Sequence, residues 1–289
     1  AVKGYFGLRL ADMAGRYRAE VKTIEKPWGE WFSLEELEAA LIQHKPAILA
    51  MVHAETSTGV CQPMEGIGDL CRKHDCLLLL DTVTSLGGVP LYIDDWKVDL
   101  SYSCSQKGLS CPPGLGPFTM GPRAEAKMEA RTGKVPNWYL DVSLLNKYWG
   151  SDRVYHHTAP VNMNFGMREA LRLLAEEGLD QAWARHRRNA EALWTGMESL
   201  GLTMHVPYER RLPTLTTVRI PDGVDGKAFS QYLLNTHGIE VGGGLGSLAG
   251  KIWRIGLMGF NSTPENVNRL LNLFETELPK FSGSTAAAA

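Results

Sequence analysis

Asp81 and Lys107 are the residues whose types and positions suggest chemistry. Asp81 closes the apolar run Cys76-Leu77-Leu78-Leu79-Leu80, a pattern that predicts a fully buried strand. Lys107 stands in Ser103-Cys104-Ser105-Gln106-Lys107-Gly108, just past a second strand-like stretch at 99–104. A carboxylate and a lysine at the ends of two buried strands suit the chemistry of pyridoxal phosphate. The amine forms a Schiff base with the cofactor, and the carboxylate keeps the pyridinium nitrogen protonated so that the ring acts as an electron sink. Two residues alone leave another reading open, in which Asp81 caps a turn and Lys107 is a solvated loop residue.

The elements that must position this pair alternate between strand and helix. Ser33-Leu34-Glu35-Glu36 has the form of a capping box and opens a helix with Leu34, Leu37, Ala40 and Leu41 on one face. Lys45-Pro46 stops it. Residues 47–52 read as a strand, 59–63 as a turn, 67–74 as a helix, 77–80 as a strand and 99–104 as another. Alternation of this kind predicts a largely parallel sheet covered on both faces, with ligands at the carboxyl ends of its strands. Three polar clusters fall at such ends: His53-Ala54-Glu55-Thr56, Asp81-Thr82-Val83 and Ser105-Gln106-Lys107. Their convergence on one crevice favours the catalytic reading.

Further along, 114–121 reads as a glycine-rich strand. Helices are expected at about 165–177 and 181–200, each ended by a glycine. Short strands follow at 214–220, 239–241 and 252–257, with a helix at 227–236. A last helix opens at Ser262-Thr263-Pro264-Glu265. The expected division is a large domain over 1–178, a small α/β domain over 179–281, and a linker or artificial tail over 282–289.

The 289 residues are 44% hydrophobic with a formal net charge of −2, which gives no electrostatic reason to expect nucleic acid or an anionic membrane as partner. The five cysteines, at 61, 71, 76, 104 and 111, include no CxxC pair and read as reduced thiols in a cytosol-like compartment. No apolar run approaches the length of a membrane span. The expected location is cytoplasmic, or peroxisomal in a eukaryote. Gly242-Gly243-Gly244-Leu245-Gly246 lacks the spacing of a phosphate loop and reads as a turn near a ligand. Tyr155-His156-His157-Thr158 does not read as a metal site, because adjacent histidines on a strand point in opposite directions. Arg254, among the apolar residues of Lys251-Ile252-Trp253-Arg254-Ile255-Gly256, is either a structural ion pair or a clamp for a carboxylate.

Taken together, these clusters resemble the class V aminotransferases among the fold type I pyridoxal phosphate enzymes, and most of all the alanine–glyoxylate and serine–pyruvate branch. The resemblance rests on His53-Ala54-Glu55-Thr56-Ser57-Thr58-Gly59-Val60, on 80–88 and 105–114, and on Tyr148-Trp149-Gly150, Tyr155-His156-His157-Thr158, Arg211-Leu212-Pro213-Thr214 and 253–259. It runs from Val2 to about Leu278. The fold it implies is α/β, a mainly parallel sheet of the seven-stranded type in a large domain with a small C-terminal α/β domain. The activity it implies is ping-pong transfer of an amino group from alanine or serine to glyoxylate or pyruvate. A 3-hydroxykynurenine transaminase is a neighbouring reading. A cysteine desulfurase would need a reactive cysteine on a late loop, and none follows Cys111.

Residue by residue, the resemblance implies that Lys107 carries pyridoxal phosphate and shuttles the substrate proton. Asp81 pairs with the pyridine nitrogen, Val83 packs on one ring face, and Thr56 bonds the phenolic oxygen. Gln106 helps hold the phosphate. Phe6 stacks on the other ring face where relatives carry tryptophan. Tyr155 and Thr158 reach the phosphate of a neighbouring subunit, so that a homodimer shares its sites. Arg254 clamps the substrate carboxylate. Relatives also carry an earlier segment with a glycine-rich loop that cradles the phosphate. Its absence from this chain raises the further expectation of an N-terminally incomplete domain, or of an inactive fragment.

Overall fold

The structure is a computed structural model, described here for residues 1–283; most of the expected tail lies outside the described residues. The chain runs α1 (Tyr5–Arg16), α2 (Leu34–His44), β1 (Ile48–Val52), β2 (Ala54–Glu55), β3 (Val60–Cys61), α3 (Ile67–Lys73), β4 (Leu77–Asp81), β5 (Leu100–Tyr102) and β6 (Phe118–Met120). It continues through α4 (Pro122–Glu129), α5 (Val142–Trp149), α6 (Val161–Glu177), α7 (Leu179–Ser199), β7 (Leu215–Arg219), α8 (Gly226–His237), β8 (Gly242–Gly243), β9 (Ile252–Gly256) and α9 (Pro264–Glu277).

The leucine run at 77–80 forms the strand it predicts, because a sheet covered on both faces buries both sides of the pleat. β4 lies inside a four-stranded sheet of order β1-β4-β5-β6, parallel to β1 and β5. β6 is antiparallel to β5. Four strands are found among the described residues where the resemblance implied seven. Beside β1 the buried Lys3 Nζ donates to Val52 O at 2.7 Å.

Among the described residues, two large apolar cores form, with a small third cluster of Ala54, Val89, Leu212 and Leu215. One packs Leu37, Leu41, Met51, Ile67, Leu78 and Leu80 between sheet and helices. The other gathers Trp194, Phe229, Trp253 and Phe274 around the antiparallel sheet β7-β9-β8. There Phe229 and Phe274 meet edge to face at 5.1 Å, a geometry set by the ring quadrupoles. Helix signals are local and accurate at α2, where Ser33 Oγ accepts from Glu36 N–H and the Glu36 carboxylate accepts from Ser33 N–H. Thr263 caps α9 with one such bond, its Oγ1 accepting from the Asn266 N–H at 3.2 Å.

Several expectations shift. The strand placed at 239–241 is the two-residue β8 at Gly242–Gly243, and α6 begins four residues earlier than expected. The turn at 59–63 is half of a hairpin, β2 with β3. Residues 1–17, not assigned to any element from sequence, carry helix α1. Among the described residues no helix is long and apolar enough to cross a membrane.

Candidate active site

Register brings the site together. In the parallel ladder Val52 lies opposite Asp81, and Asp81 opposite Tyr102, so the ends of three strands stand side by side. Asp81 is 3% exposed. Its Oδ1 accepts the Val83 N–H at 2.9 Å and its Oδ2 the Tyr102 hydroxyl at 2.6 Å. The turn-capping role is therefore real on one oxygen, while the other is held by a side chain. Burial pushes the Asp81 carboxyl above the ordinary carboxylate value, and the Tyr102 and Val83 bonds work against that rise. An ionised carboxylate has about four lone-pair sites, so both oxygens still have room for an incoming N–H.

Thr56 reaches this place on the tip of the β2–β3 hairpin. Its Oγ1 shares a 2.5 Å hydrogen bond with Thr84 Oγ1. The hairpin closes through Gly59, whose φ is +78° and where a Cβ would stand 2.7 Å from Thr217 Oγ1. Only glycine suits both the left-handed backbone and that approach. Beside it the buried Glu55 carboxylate accepts the N–H groups of Phe6 at 3.3 Å and Gly7 at 3.2 Å. It thus caps the first turn of α1 from a distance and fixes Phe6. The Arg9 guanidinium lies 4.6 Å over the Phe6 ring, and its charge acts on Asp81.

Lys107 follows β5 in a loop tied by Ser105. Ser105 Oγ donates to Pro112 O at 2.7 Å and accepts from Leu115 N–H at 3.3 Å, and Cys111 N–H returns to Ser105 O at 3.0 Å. A Cβ at Gly108 would meet Leu86 O at 2.3 Å, so glycine lets the loop pass directly over the turn that follows Asp81. Ser110, at φ +57°, accepts the Phe260 N–H at 2.8 Å and so joins this loop to the other unit. Cys104 lies between Val83 and Lys107. Burial raises its thiol, which the Lys107 charge draws down, and its Sγ is 3.9 Å from Val83 O.

Arg254 projects from β9 toward the same crevice. Its Nε donates to Gly243 O at 2.7 Å and its Nη1 to Thr56 O at 3.5 Å. These partners are carbonyls, and no ion pair of Arg254 is found among the described residues, which favours the clamp over the structural pair. Burial lowers its guanidinium, with Glu55 opposing.

The structure thus gathers Asp81, Val83, Thr56, Phe6, Lys107 and Arg254. Gln106 is exposed beside Lys107. Tyr155 and Thr158 stand apart, both exposed, bonded to each other at 3.3 Å. The two histidines between them correct the strand expectation: they lie in a loop with their Nδ1 atoms 2.8 Å apart. Sequence reasoning missed Tyr102, and it placed Glu55 in a strand-end cluster without a role. Tyr102 sits in the strand-like stretch at 99–104, but its bond to Asp81 depends on the strand register.

The residues present fit the cofactor implied above at its ring end: a buried carboxylate with open lone pairs, a hydroxyl pair and an aromatic ring, with the Lys107 loop passing over the turn that follows Asp81. The architecture is that of the fold type I pyridoxal phosphate enzymes. A model of the class V aminotransferases matches residues 8–270, and the chain belongs to that family. The crystal structure of an alanine–glyoxylate aminotransferase from Nostoc sp. superposes with a TM-score of 0.93 at 66% identity, over 94% of this chain and 72% of that one. The alanine–glyoxylate aminotransferase of Mus musculus is 44% identical over 271 residues, which are 92% of this chain and 66% of the mouse protein. A ureidoglycine–glyoxylate aminotransferase from Bacillus subtilis superposes at 0.94 with 39% identity, over 99% of this chain and 74% of that one. The chain thus spans just under two thirds of the mouse relative's length.

Proposed function

We propose that this chain forms the catalytic body of a pyridoxal phosphate-dependent aminotransferase that uses glyoxylate as amino acceptor. The observation that carries the reading is the strand-end cluster, in which a buried, doubly bonded Asp81 stands beside the Lys107 loop with Arg254 reaching in from the second unit. Relatives named for glyoxylate transamination support the acceptor.

Pyridoxal phosphate, when bound, supplies the electron-withdrawing ring and the carbonyl carbon that carries the amino group between substrates. The protein supplies the rest. Asp81 would hold the ring nitrogen by accepting its N–H, and the Tyr102 hydroxyl aims that carboxylate and favours its ionised form against the effect of burial. Arg254 holds the substrate carboxylate with a planar fork, which fixes Cα near the Lys107 amine. Lys107 would take the Cα proton and return it. Phe6 and Val83 would cover the two faces of the ring and exclude water. The second copy of a homodimer would supply Tyr155 and Thr158, with Gln106, to the phosphate. The large exposed fractions of Tyr155 (73%), Trp149 (67%) and Phe165 (66%) support such an interface.

The test is glycine formation from glyoxylate with added pyridoxal phosphate, using alanine, serine or ureidoglycine as donor. A visible absorbance band on adding cofactor and donor-dependent glycine are expected. A protein that stays colourless and makes no glycine above the cofactor-only control would overturn the proposal for this chain.

A further inference from the structure

β9 runs between β7 and β8, and its Arg254 is flanked by Thr217 on one side and Gly242 on the other. Directly opposed residues of an antiparallel pair point to the same face of the sheet. The alternate positions turn to the other face. There Val218, Trp253 and Ile255 join the aromatic core, and Thr216 Oγ1 accepts the Trp194 indole N–H at 2.8 Å. Thr217 and Arg254 therefore share the face that meets the β2–β3 hairpin, and each grips one hairpin carbonyl. Thr217 Oγ1 donates to Thr58 O at 2.9 Å, with both residues buried. Arg254 Nη1 reaches Thr56 O at 3.5 Å, beyond the usual range of an N–H···O bond.

The short bond carries the docking. It is helped by Leu212 N–H, which donates to Gly59 O at 2.9 Å. The fit is close, since a Cβ at Gly59 would stand 2.7 Å from Thr217 Oγ1 and 3.1 Å from its Cγ2. Arg254 is left with a single short bond, Nε to Gly243 O at 2.7 Å, which aims the guanidinium. Its Nη2 has no hydrogen-bond partner among the described residues and is not closed off from solvent. Gly242 leaves it that room, because a Cβ there would stand 3.4 Å from Nη2. Most of the guanidinium N–H groups therefore remain for a carboxylate.

We propose that Thr217 is a positioning residue for the reaction: by holding the hairpin through Thr58 O, it keeps the Arg254 fork available to a substrate carboxylate. This rests on the carboxylate-binding role given to Arg254 above. Without the Thr217 hydroxyl, Thr58 O loses this donor inside the protein. The guanidinium already beside the hairpin is then drawn onto its carbonyls, in competition with substrate.

The test is calorimetric titration with glycolate, a carboxylate with neither amine nor carbonyl to react, in the presence of pyridoxal phosphate. KM and kcat for alanine and glyoxylate are measured beside it. Thr217→Val keeps the shape and drops the hydroxyl. Glycolate affinity should fall, and both KM values rise, by about fivefold to tenfold, with kcat held within about twofold. Thr217→Ser drops the methyl instead and should restore the affinity to within about twofold of the parent. Thr216→Val breaks the Trp194 bond on the other face of the same strand and should leave glycolate binding unchanged. Glycolate binding unaltered in Thr217→Val, or weakened equally in Thr217→Ser or Thr216→Val, would overturn the proposal. So would a kcat loss at constant KM. A parent that binds glycolate but makes no glycine breaks the aminotransferase reading, while the glycolate comparison still decides this one. A parent that shows no saturation by about ten millimolar glycolate overturns the carboxylate role of Arg254, and this proposal with it.

Discussion

The ends of β1, β4 and β5 and the segment from 138 to 165 invert each other's chemistry. At the strand ends, polar groups are buried and bonded: Asp81 is 3% exposed, Thr56 6% and Glu55 0%. Between 138 and 165, apolar groups are exposed, with Trp138 at 60% and Phe165 at 66%. A buried carboxylate held by two donors is costly to keep unless it faces something that needs its charge. An exposed aromatic surface is costly unless it faces another surface. The proposed function assigns the first region to a small molecule and the second to another copy of the chain, and the two assignments make separable predictions.

The largest effect belongs to the strand ends. Lys107→Ala should lower glycine formation on the order of a thousandfold or more, with sedimentation unchanged. Full turnover in that variant would break the assignment. Arg254→Ala should raise KM for carboxylate substrates by about tenfold to a hundredfold, since it removes a charge-assisted pair, and a kcat loss at constant KM would contradict a binding role.

Phe165→Asp tests the other region. It should shift sedimentation from a two-chain to a one-chain species, and it should lower activity if Tyr155 and Thr158 serve a neighbouring copy. An unchanged species with unchanged activity would remove the case for the interface.

Smaller effects refine the account of Asp81. Tyr102→Phe removes a bond that holds the carboxyl down against burial, so the carboxyl rises further. Activity that needs the ionised carboxylate should then fail at a higher pH on the acid side, with cofactor affinity down by roughly tenfold. An unmoved acid limb would show that the tyrosine does not act through Asp81. Stability runs the other way. A carboxyl raised in the folded state contributes stability below the ordinary carboxylate value and loses it as pH rises through the folded value. Asp81→Asn should therefore melt higher than the parent at neutral pH without cofactor, while losing cofactor affinity.

Legibility in the sequence followed the range of the interactions. The leucine run before Asp81 and the capping box at Ser33 are written in neighbouring residues and fold as they read. Helix α1 was invisible because its first turn is capped by Glu55, about fifty positions away, and its own residues include three glycines counting Gly4. The β2–β3 hairpin has strands of two residues, too short for any alternation to register. Tyr102 was hidden for a similar reason, since only the register of β4 against β5 makes it Asp81's neighbour. Lys107 and Arg254 stand out in the sequence because one follows a strand-like stretch and the other interrupts an apolar one, while the roles expected of them come from the resemblance.

One fastening described above has a mechanical meaning. Ser110 Oγ, three residues past Lys107, accepts the Phe260 N–H, and Gly259 N–H donates to His186 Nε2 at 2.8 Å. The loop bearing the amine is thus latched to the unit that bears Arg254. A crevice that opens must either release the latch or carry the lysine loop with it.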